Sequence, residues 1–396
     1  MSKRLYLFTA RYPYVGVENF LEDEIQYLSR KFDEVVVVPY KNTDLGCRKM
    51  PGNCHLAQAM VTSQMDFLVK ALFNKVMTPK LIREFFDQKV YSDIRRIRVW
   101  LTGYVAANSI ANSSVVKKIG EDLKKDDVCY FYWGKWSNVL SVLWEGKAHF
   151  VSRFHGQWDL WEEEYGNYAP LRKKIAASLD AAVFISEKGE KYFHEHYPEC
   201  NTKVFRLGTK DIGTVKTIAD GKIRILSCST VYPLKRVDLI LISVAEVAKI
   251  KDVIWTHLGG GDDYKTIKSM AESMQGEHLE IKMPGQMSYS EVLEYYKNHP
   301  FDIFVNLSTN EGVPVSIMEA ISYDVPIVAT NVGGTPEIVT AQTGMLVGET
   351  PNPKEVANAI IDVFDNRKKY RPRDFWKQNY MAAKNYELFA EYLSMF

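Results

Sequence analysis

Residues 302–339, DIFVNLSTNEGVPVSIMEAISYDVPIVATNVGGTPEIV, carry the strongest fold signal in the chain. A short apolar run over 302–307 predicts a buried strand, and a polar turn follows it. Pro314 then begins a pattern with helical periodicity that ends near 322, since proline is well tolerated in the first turn of a helix. A second apolar run over 326–329 predicts another strand. This strand–helix–strand order is typical of a parallel sheet covered by helices.

The same alternation extends over most of the chain. Continuous β-branched runs favour strands buried on both faces, and the helical patterns between them favour crossover connections. The sequence therefore predicts an α/β protein with two Rossmann-like, doubly wound domains that face a central cleft, which is the expected binding site. Strands are predicted over 4–9, 35–39, 127–133, 148–154, 181–186, 204–207, 223–227, 253–258, 279–283, 302–307 and 326–329. Helices are predicted over 20–28, 170–179, 237–249, 264–274, 288–297, 313–322, 335–339, 353–364 and 375–393.

The domain boundary is predicted from a change in composition. The stretch GTKDIGTVKTIADG, residues 208–221, is short of large apolar residues and contains three glycines. It predicts a linker over 209–221, between a domain over 1–208 and a domain over 222–374. A length of 396 residues fits two domains of ordinary size.

The composition is that of a globular protein, with 46% hydrophobic and 25% charged residues, which excludes a disordered chain and a fibrous repeat. Fifty Lys and Arg against 49 Asp and Glu give a net charge of +1, which argues against nucleic acid as a partner. No apolar run has the roughly 20 residues that a spanning helix needs. The N-terminal sequence MSKRLYLFTARYP is interpreted as a strand rather than a secretory signal. Five scattered cysteines favour a reducing cytoplasm.

Charge is distributed unevenly along the chain. Residues 67–100 contain eight basic and three acidic side chains, with apolar residues interleaved at helical spacing. Such a basic amphipathic surface fits an anionic membrane, and two ordinary helices packed on a core are the alternative. Residues 301–350, in contrast, contain no Lys or Arg and six acidic side chains. Carboxylates in a segment without basic residues indicate that some of them have a specific function.

Glu311 and Glu319 are the carboxylates most favoured by their position. The turn before the predicted helix lies at the carboxyl end of a strand, where open α/β sheets bind ligands. Gly312 lets a ligand approach the backbone. Eight residues along a helix correspond to about 12 Å, so the two groups could hold two ends of one elongated ligand. They are too far apart for a hydrolase acid/base pair, which needs roughly 5–9.5 Å. A surface cap and a solvated helix residue are the alternative.

Two weaker patterns argue against a cofactor or a metal. The glycines at 259–261 follow a predicted strand, but Tyr264 stands where a dinucleotide fingerprint needs its last glycine. His194 and His196 are two residues apart, so on a helix they point to different sides, and no third ligand accompanies them. The sequence therefore predicts neither a nicotinamide cofactor nor a metal.

The stretch EGVPVSIME, residues 311–319, resembles the E-x7-E signature of the group 1 (family four) glycosyltransferases, which are retaining enzymes of the GT-B fold. LSCSTVYPLKRVDLILISV and HLGGGDDY resemble the family's phosphate-binding lysine region and its glycine-rich turn, and EIKMPGQM resembles its base-pocket strand. In the first half, RYPYVGVENF, RFHGQWDLW and AAVFISEKGEKYF are similar to motifs of exopolysaccharide and capsule biosynthesis members. The resemblance extends over nearly the whole chain and is strongest in the second half.

The resemblance implies roles for individual residues. Glu319 corresponds to the glutamate that holds the ribose hydroxyls of the nucleotide, and Glu311 to the glutamate beside the donor sugar. His155 corresponds to a histidine near the anomeric centre, so His155 and Glu311 are the predicted catalytic residues. Trp158 and Trp161, close to His155 in sequence, are predicted to contact the acceptor. The other predicted donor-binding residues are Gly16, Lys235, Arg236, Met283, Gly285, Gly312, Val313 and Pro314.

One position departs from the family pattern. Where the family has an arginine about five residues before the phosphate-binding lysine, this chain has Thr230. Arg236, beside Lys235, and Arg206 are the alternative cations for the diphosphate. The missing arginine also favours a pseudoenzyme that binds a sugar without transferring it.

The implied function is transfer of a sugar from a nucleotide-diphosphate donor to a hydroxyl of a glycan or lipid-linked glycan, with retained configuration, in surface-glycan biosynthesis. The first domain would bind the acceptor and the second the donor, and the helix over about 375–396 would return to the first domain. No metal is expected, since Lys235 and helix N-termini can stabilise the leaving diphosphate. A GT-B sugar-nucleotide epimerase is a further alternative. The expected location is cytoplasmic or peripheral on the inner face of the membrane.

Overall fold

The chain forms two units, each with its own parallel sheet. The computed structural model describes residues 3–15, 18–72, 76–214 and 218–396. The first unit consists of Met1–Phe205 together with Tyr386–Phe396, and the second consists of Arg206–Asn385.

The described residues of the first unit form seven strands in the order β3-β2-β1-β4-β5-β6-β7, all parallel. The strands are β1 (Arg4–Thr9), β2 (Glu34–Pro39), β3 (Cys54–Leu56), β4 (Val128–Phe131), β5 (His149–Phe154), β6 (Ala181–Phe184) and β7 (Thr202–Val204). The helices are α1 (Leu21–Lys31), α2 (Gln64–Leu72), α3 (Thr78–Asp87), α4 (Ile94–Ala111), α5 (Ser114–Asp122), α6 (Leu140–Leu143), α7 (Gln157–Leu160), α8 (Arg172–Ser178) and α9 (Glu187–His196).

In the part of the second unit that the structure describes, six parallel strands follow the order β10-β9-β8-β11-β12-β13. The strands are β8 (Ile223–Cys228), β9 (Val253–Leu258), β10 (Leu279–Gly285), β11 (Ile303–Asn306), β12 (Ile327–Thr330) and β13 (Gly344–Val347). The remaining helices are α10 (Val237–Ala248), α11 (Tyr264–Met274), α12 (Tyr289–Asn298), α13 (Val315–Ser322), α14 (Thr335–Ile338), α15 (Pro353–Asp365), α16 (Pro372–Asn379) and α17 (Ala382–Leu393).

Burial on both faces explains the continuous apolar runs of the strands. In β1, Leu5 and Leu7 belong to one core, while Tyr6 and Phe8 belong to another on the opposite face. Successive side chains of a strand point to opposite faces, so a strand covered on both sides needs apolar residues at every position.

The strand order reverses at one place in each sheet. In the first unit the chain proceeds outward from β1 in one direction and from β4 in the other, and in the second unit it does so from β8 and β11. We call these places the first and the second switch point. At each switch point, the loops after its two central strands diverge. This leaves room at the carboxyl edge of the sheet, where such folds bind ligands.

The last predicted helix is two helices. Thr209 pairs with Met381 and exchanges backbone hydrogen bonds with Tyr380 and Ala382, which interrupts the helix between α16 and α17. Gly208 permits this contact, because a Cβ there would lie 2.6 Å from the Ala382 backbone. The predicted helix over 375–393 is therefore wrong at its centre, and a contact distant in sequence is the reason.

Three strands differ from the sequence prediction by more than the position of an end. β3 and β13 were not expected, and β7 covers Thr202–Val204 instead of 204–207. β13 begins with Gly344, whose missing side chain lets the strand approach Ile327, since a Cβ there would lie 2.0 Å from the Ile327 carbonyl oxygen. Glycine is otherwise unfavourable in a strand, so a local pattern does not reveal such an edge strand.

Candidate functional site

Two loops meet at the second switch point. The loop after β8 contains a single 3-10 turn, Pro233–Lys235, and the loop after β11 leads to Glu311. The Thr309 amide donates to the Leu234 carbonyl at 2.9 Å, which ties the two loops together. Lys235 and Glu311 are 76 residues apart in sequence and are brought into contact by this arrangement.

Lys235 and Glu311 form an ion pair. Lys235 Nζ lies 2.5 Å from Glu311 Oε1, and both side chains are largely buried. The same carboxylate oxygen accepts from Ser308 Oγ at 2.6 Å and is 3.4 Å from Asn306 Nδ2. Several donors on one oxygen hold the carboxylate in a single position. The arrangement presents a fixed cation at the carboxyl edge of the sheet.

The turn that carries Glu311 rests on two glycines of the loop after β12. The Gly334 amide donates to the Gly312 carbonyl at 2.8 Å. Gly333 has φ +52°, and a Cβ on it would lie 1.7 Å from the Glu311 carbonyl oxygen. Val313 and Pro314 are buried beneath this turn, whereas Gly312 is partly exposed. Of the predicted turn residues, Gly312 is therefore the one whose backbone a ligand can reach.

Glu319 lies on α13 and is buried. Burial raises its pKa to about 8, and a hydrogen bond with Tyr289 opposes this shift. The carboxyl group is thus mostly protonated at neutral pH in this structure. Because α13 begins at Val315, Glu311 precedes the helix, and the 12 Å expected from helical rise does not apply to the pair.

Arg236 supports the loop after β11. Its guanidinium donates to the carbonyls of Leu307, Ser308 and Glu349. Burial lowers its pKa. Its predicted contact with a diphosphate stays a prediction, and any such contact would have to use donors beyond those that hold this loop. Arg206, the other alternative cation, has Nη2 3.6 Å from Glu337 Oε2.

The predicted base strip, Met283 and Gly285, lies at the end of β10. The Tyr264 hydroxyl donates to the Met283 carbonyl at 2.6 Å, and Gly285 has φ +92° beside the Tyr264 ring. Tyr264 is the residue that breaks the dinucleotide fingerprint, and its structural role here is to position this strip. Gly259 has φ +140° and packs on the Ser229 carbonyl. Its missing side chain therefore allows the loop after β9 to contact the loop after β8.

His155 follows β5 in the first unit. Its ring lies between aromatic neighbours, with centroids 4.2 Å from Trp133 and 4.8 Å from Tyr132. Burial lowers the pKa of the imidazole, although Asp159 opposes this shift, so the ring is neutral at pH 7. Asp159 Oδ2 lies 3.5 Å from Nδ1, and Nε2 has no hydrogen-bond partner among the described residues.

Glu18 occupies the first switch point. Its carboxylate accepts from the backbone amides of Ala10, Arg11 and Tyr12, at 3.0, 2.7 and 2.6 Å. Trp133 Nε1 donates to the same carboxylate at 2.6 Å. Three successive amides form an anion-binding concavity, and here the chain's own carboxylate fills it. This fixes Trp133 and, through ring contact, the side chain of His155.

Trp161 lines a cavity of about 170 Å³ within the first unit. The walls are mainly apolar and include the rings of Trp136, Tyr165 and Tyr168 and one side of α4. Aromatic walls with a few polar groups suit a ring-shaped ligand such as a sugar. Trp158 lies in α7, but its side chain is outside the described residues, as is Gly16.

Several side chains of these clusters were not predicted. Ser308 and Asp159 belong to the quoted motifs, so their polarity beside a predicted site residue was the available signal. Glu24 and Arg153 form a fully buried ion pair, 2.5 Å apart, which ties β5 to α1. That pair joins residues 129 positions apart and has no local signature in the sequence.

The described residues contain neither a membrane-spanning helix nor a metal-binding group. Among the helices of the described residues, none is long and apolar enough to cross a membrane. Within the same residues, His, Cys, Asp and Glu side chains form no group of three or more that could hold a metal ion.

Comparison with known proteins finds a family match within the second unit. Residues 210–379 match the family described as Glycosyl transferases group 1. The O-antigen biosynthesis glycosyltransferase WbnH of Escherichia coli is 26% identical over 129 residues, which are 33% of this chain and 35% of WbnH. The match thus spans about a third of this curated relative. The family resemblance derived from the motifs is confirmed over residues 210–379.

Solved structures match both units. The structure of Anabaena Alr3699/HepE in complex with UDP covers 100% of both chains, with 15% identity and a TM-score of 0.66. The apo lipopolysaccharide outer core galactosyltransferase WaaB covers 98% of this chain and 99% of its own, with 13% identity and a TM-score of 0.66. At these identities the likeness concerns the fold, and the predicted GT-B fold class is confirmed. These findings do not favour the epimerase or the pseudoenzyme.

Proposed function

We propose that this chain, whose residues 210–379 match the group 1 glycosyl transferases, moves a sugar from a nucleoside-diphosphate donor to an acceptor hydroxyl with retained configuration. The observation that carries the proposal is the Lys235–Glu311 ion pair at the second switch point, with the buried Glu319 on the helix that follows. A fixed cation and a buried carboxyl group match two polar parts of a nucleotide sugar, its diphosphate and its ribose.

Each part of the donor has a proposed contact. Lys235 neutralises the diphosphate, and Glu311, which orients Lys235, lies beside the sugar. Glu319 accepts from the ribose hydroxyls, and the strip at Met283 and Gly285 borders the base. We propose a uracil base because the structural neighbour Alr3699/HepE is described in complex with UDP. The leaving diphosphate would be stabilised by Lys235 and by backbone amides, so no metal is needed.

Transfer would proceed on the face from which the diphosphate leaves. The bond between the anomeric carbon and the phosphate oxygen breaks, the acceptor oxygen bonds to that carbon, and the leaving phosphate takes the acceptor proton. His155 would act on the donor sugar as a neutral imidazole. Because both ring nitrogens are enclosed, contact with a sugar requires movement of the neighbouring side chains.

The proposed acceptor is a glycan or lipid-linked glycan of surface-polysaccharide assembly. The relatives WbnH and WaaB are described as O-antigen and lipopolysaccharide outer core glycosyltransferases, which supports this class. The cavity beside Trp161 offers aromatic walls on which a sugar ring can stack. Trp158 belongs to the same proposed acceptor side, and the assignment of the acceptor to the first unit stays part of the proposal.

The test compares UDP with uridine in titration calorimetry. Lys235→Met should weaken UDP binding by about tenfold to a hundredfold and leave uridine binding unchanged, because the diphosphate is the part of UDP that Lys235 is proposed to contact. Glu319→Ala should weaken both ligands, because both contain the ribose. GDP in place of UDP tests the base.

Two variants serve as controls in this experiment. Lys249→Met removes an exposed lysine paired with Glu246 and should change neither affinity. His155→Ala should also leave both affinities unchanged while transfer falls. Equal losses of UDP and uridine binding in Lys235→Met, or the absence of binding of UDP and GDP to the wild type, would contradict the proposed donor site.

A further inference from the structure

Helix α2 of the first unit turns its apolar side to solvent. Met65, Leu68, Val69 and Leu72 stand at i, i+3, i+4 and i+7, the spacing of one helix face that normally packs on a core. Met65 is 71% and Leu72 70% exposed, and Leu68 and Val69 are exposed as well. These side chains form a continuous apolar stripe on the outside of the unit.

The charged side of α2 faces inward. Lys70 Nζ donates to the Met60 carbonyl at 3.1 Å and pairs with Asp66 at 2.8 Å, and the Asn112 amide side chain donates to the Lys70 carbonyl. Ala71 is the buried residue of the helix. The polarity of α2 is thus opposite to that of an ordinary surface helix, and the sequence alternative of two helices with their apolar sides in the core does not hold for α2.

A second exposed apolar group lies on α3 and the turn after it. Ile82 and Phe86 are one helical turn apart, and the Phe86 ring lies 6.5 Å from that of Tyr91. Helices α2 and α3 both pack against α4. Of the 19 exposed large hydrophobic side chains among the described residues, 10 lie within 65–101. We call the exposed apolar side chains of α2 and α3 the apolar face.

The charges around the apolar face indicate that its partner is anionic. Outside α2, whose charged side faces inward, residues 76–101 contain six basic and three acidic side chains. Lys80 and Arg96 donate to backbone carbonyls of the unit, and Glu84 is buried. Arg83 and Arg95 are mostly exposed, each beside one aspartate, and Lys89 and Arg98 are exposed. The chain as a whole has a net charge of only +1, so the positive charge here is local.

We propose that α2 and α3 dock the protein on an anionic lipid bilayer. The apolar face would enter the boundary of headgroups and acyl chains, while the surrounding cations bind lipid phosphates. A bilayer accepts protruding apolar side chains without a shaped groove, which fits convex helices better than a protein partner does. Helix α4 also lines the cavity beside Trp161, so docking would bring lipid close to the proposed acceptor site, a consequence that rests on the proposed function.

The test is flotation of the full chain with vesicles of phosphatidylcholine containing about 30% phosphatidylglycerol. The wild type should float with these vesicles and less with pure phosphatidylcholine. The triple variant Met65→Gln, Leu68→Gln, Leu72→Gln should lose at least about tenfold in partitioning, since three exposed apolar side chains no longer enter the bilayer. Glutamine preserves helix propensity, and the replaced side chains make few core contacts, so the variant should fold.

The matched control is Ile250→Gln, Met270→Gln, Leu388→Gln, which replaces three exposed apolar side chains elsewhere and should float like the wild type. Failure of the wild type to float, or equal flotation of the triple variant, overturns the proposal. A dimer by light scattering that the α2 variant alone dissociates, without vesicle binding, assigns the face to a second copy and also overturns it. UDP binding is measured in parallel, because its absence with intact flotation refutes only the donor site.

Discussion

The carboxyl group of Glu319 must lose a proton before it can bind the ribose hydroxyls as proposed. Its pKa is raised to about 8 by burial, whereas a carboxylate accepts ribose hydroxyls best when ionised. Uridine affinity should therefore rise between pH 6 and pH 8, by up to about tenfold per pH unit, and level off above pH 8. Titration calorimetry of uridine over this range measures the slope. In Glu319→Gln the slope should vanish.

The free energy of unfolding provides an independent control on the same group. The ordinary pKa of 4.5 applies to the unfolded chain and about 8 to the folded one, so the folded protein holds the proton over a wider range. The contribution of the protonated Glu319 to the free energy of unfolding is therefore at its maximum below pH 4.5 and declines as the pH rises to 8. Urea unfolding at pH 5 and pH 8 should show a smaller decline for Glu319→Gln than for the wild type. An equal decline in both proteins would mean that the proton is not held at Glu319.

The sequence proposes residues for the donor site one by one, but it does not predict their contacts with one another. The family resemblance singled out Lys235 and Glu311, and the fold brings these two residues, 76 positions apart in sequence, into contact. Arg236 was predicted from its neighbour in sequence, yet its backbone φ of +47° directs its guanidinium to the carbonyls of the loop after β11. A side chain's direction depends on backbone conformation, which residue spacing does not contain.

Elements with strong periodicity followed the sequence closely. β9 and α11 have the predicted bounds, because continuous apolar runs and helical spacing reflect burial in their own unit. Elements that depend on contacts with backbone distant in sequence did not follow the sequence prediction. The break between α16 and α17 is made by Thr209, and β13 needs the close approach of Gly344 to Ile327. A local pattern carries no information about such contacts.

The loop after β12 is the element on which the Glu311 turn depends. Gly333→Ala would place a Cβ 1.7 Å from the Glu311 carbonyl oxygen at a residue with φ +52°. Overpacking together with a left-handed backbone should cost about 2 kcal/mol or more in the free energy of unfolding. UDP affinity should fall as well, because the turn must move. Urea unfolding and calorimetry measure the two effects.

Gly348→Ala is the control for that loop. It lies in the same unit with nothing within 4 Å of the added Cβ and without a positive φ. Its stability and UDP affinity should stay near those of the wild type. If both glycine variants behave alike, the Glu311 turn does not depend on the loop after β12.

At the scale of the whole molecule, the chain leaves the first unit after Phe205 and returns to it at Tyr386. The returning segment completes a core, since Tyr386, Phe389, Ala390 and Leu393 have no exposed surface. Arg153 stacks on the Phe389 ring at 4.1 Å, so the segment also covers the buried ion pair with Glu24. The second unit, in contrast, is continuous in sequence and contains all the proposed nucleotide contacts except Gly16.

This asymmetry predicts different responses of the two units to shortening of the chain. A chain that ends at Asn385 loses four fully buried side chains, and their loss should be comparable with the typical stability of a domain, about 5–15 kcal/mol. The first unit should then unfold, with proteolytic cleavage spread over residues 1–205, while the second unit still binds uridine. A chain that ends at Leu393 keeps those side chains and should resist the protease. Protection of residues 1–205 in the shorter chain would mean that the unit folds without its last helix.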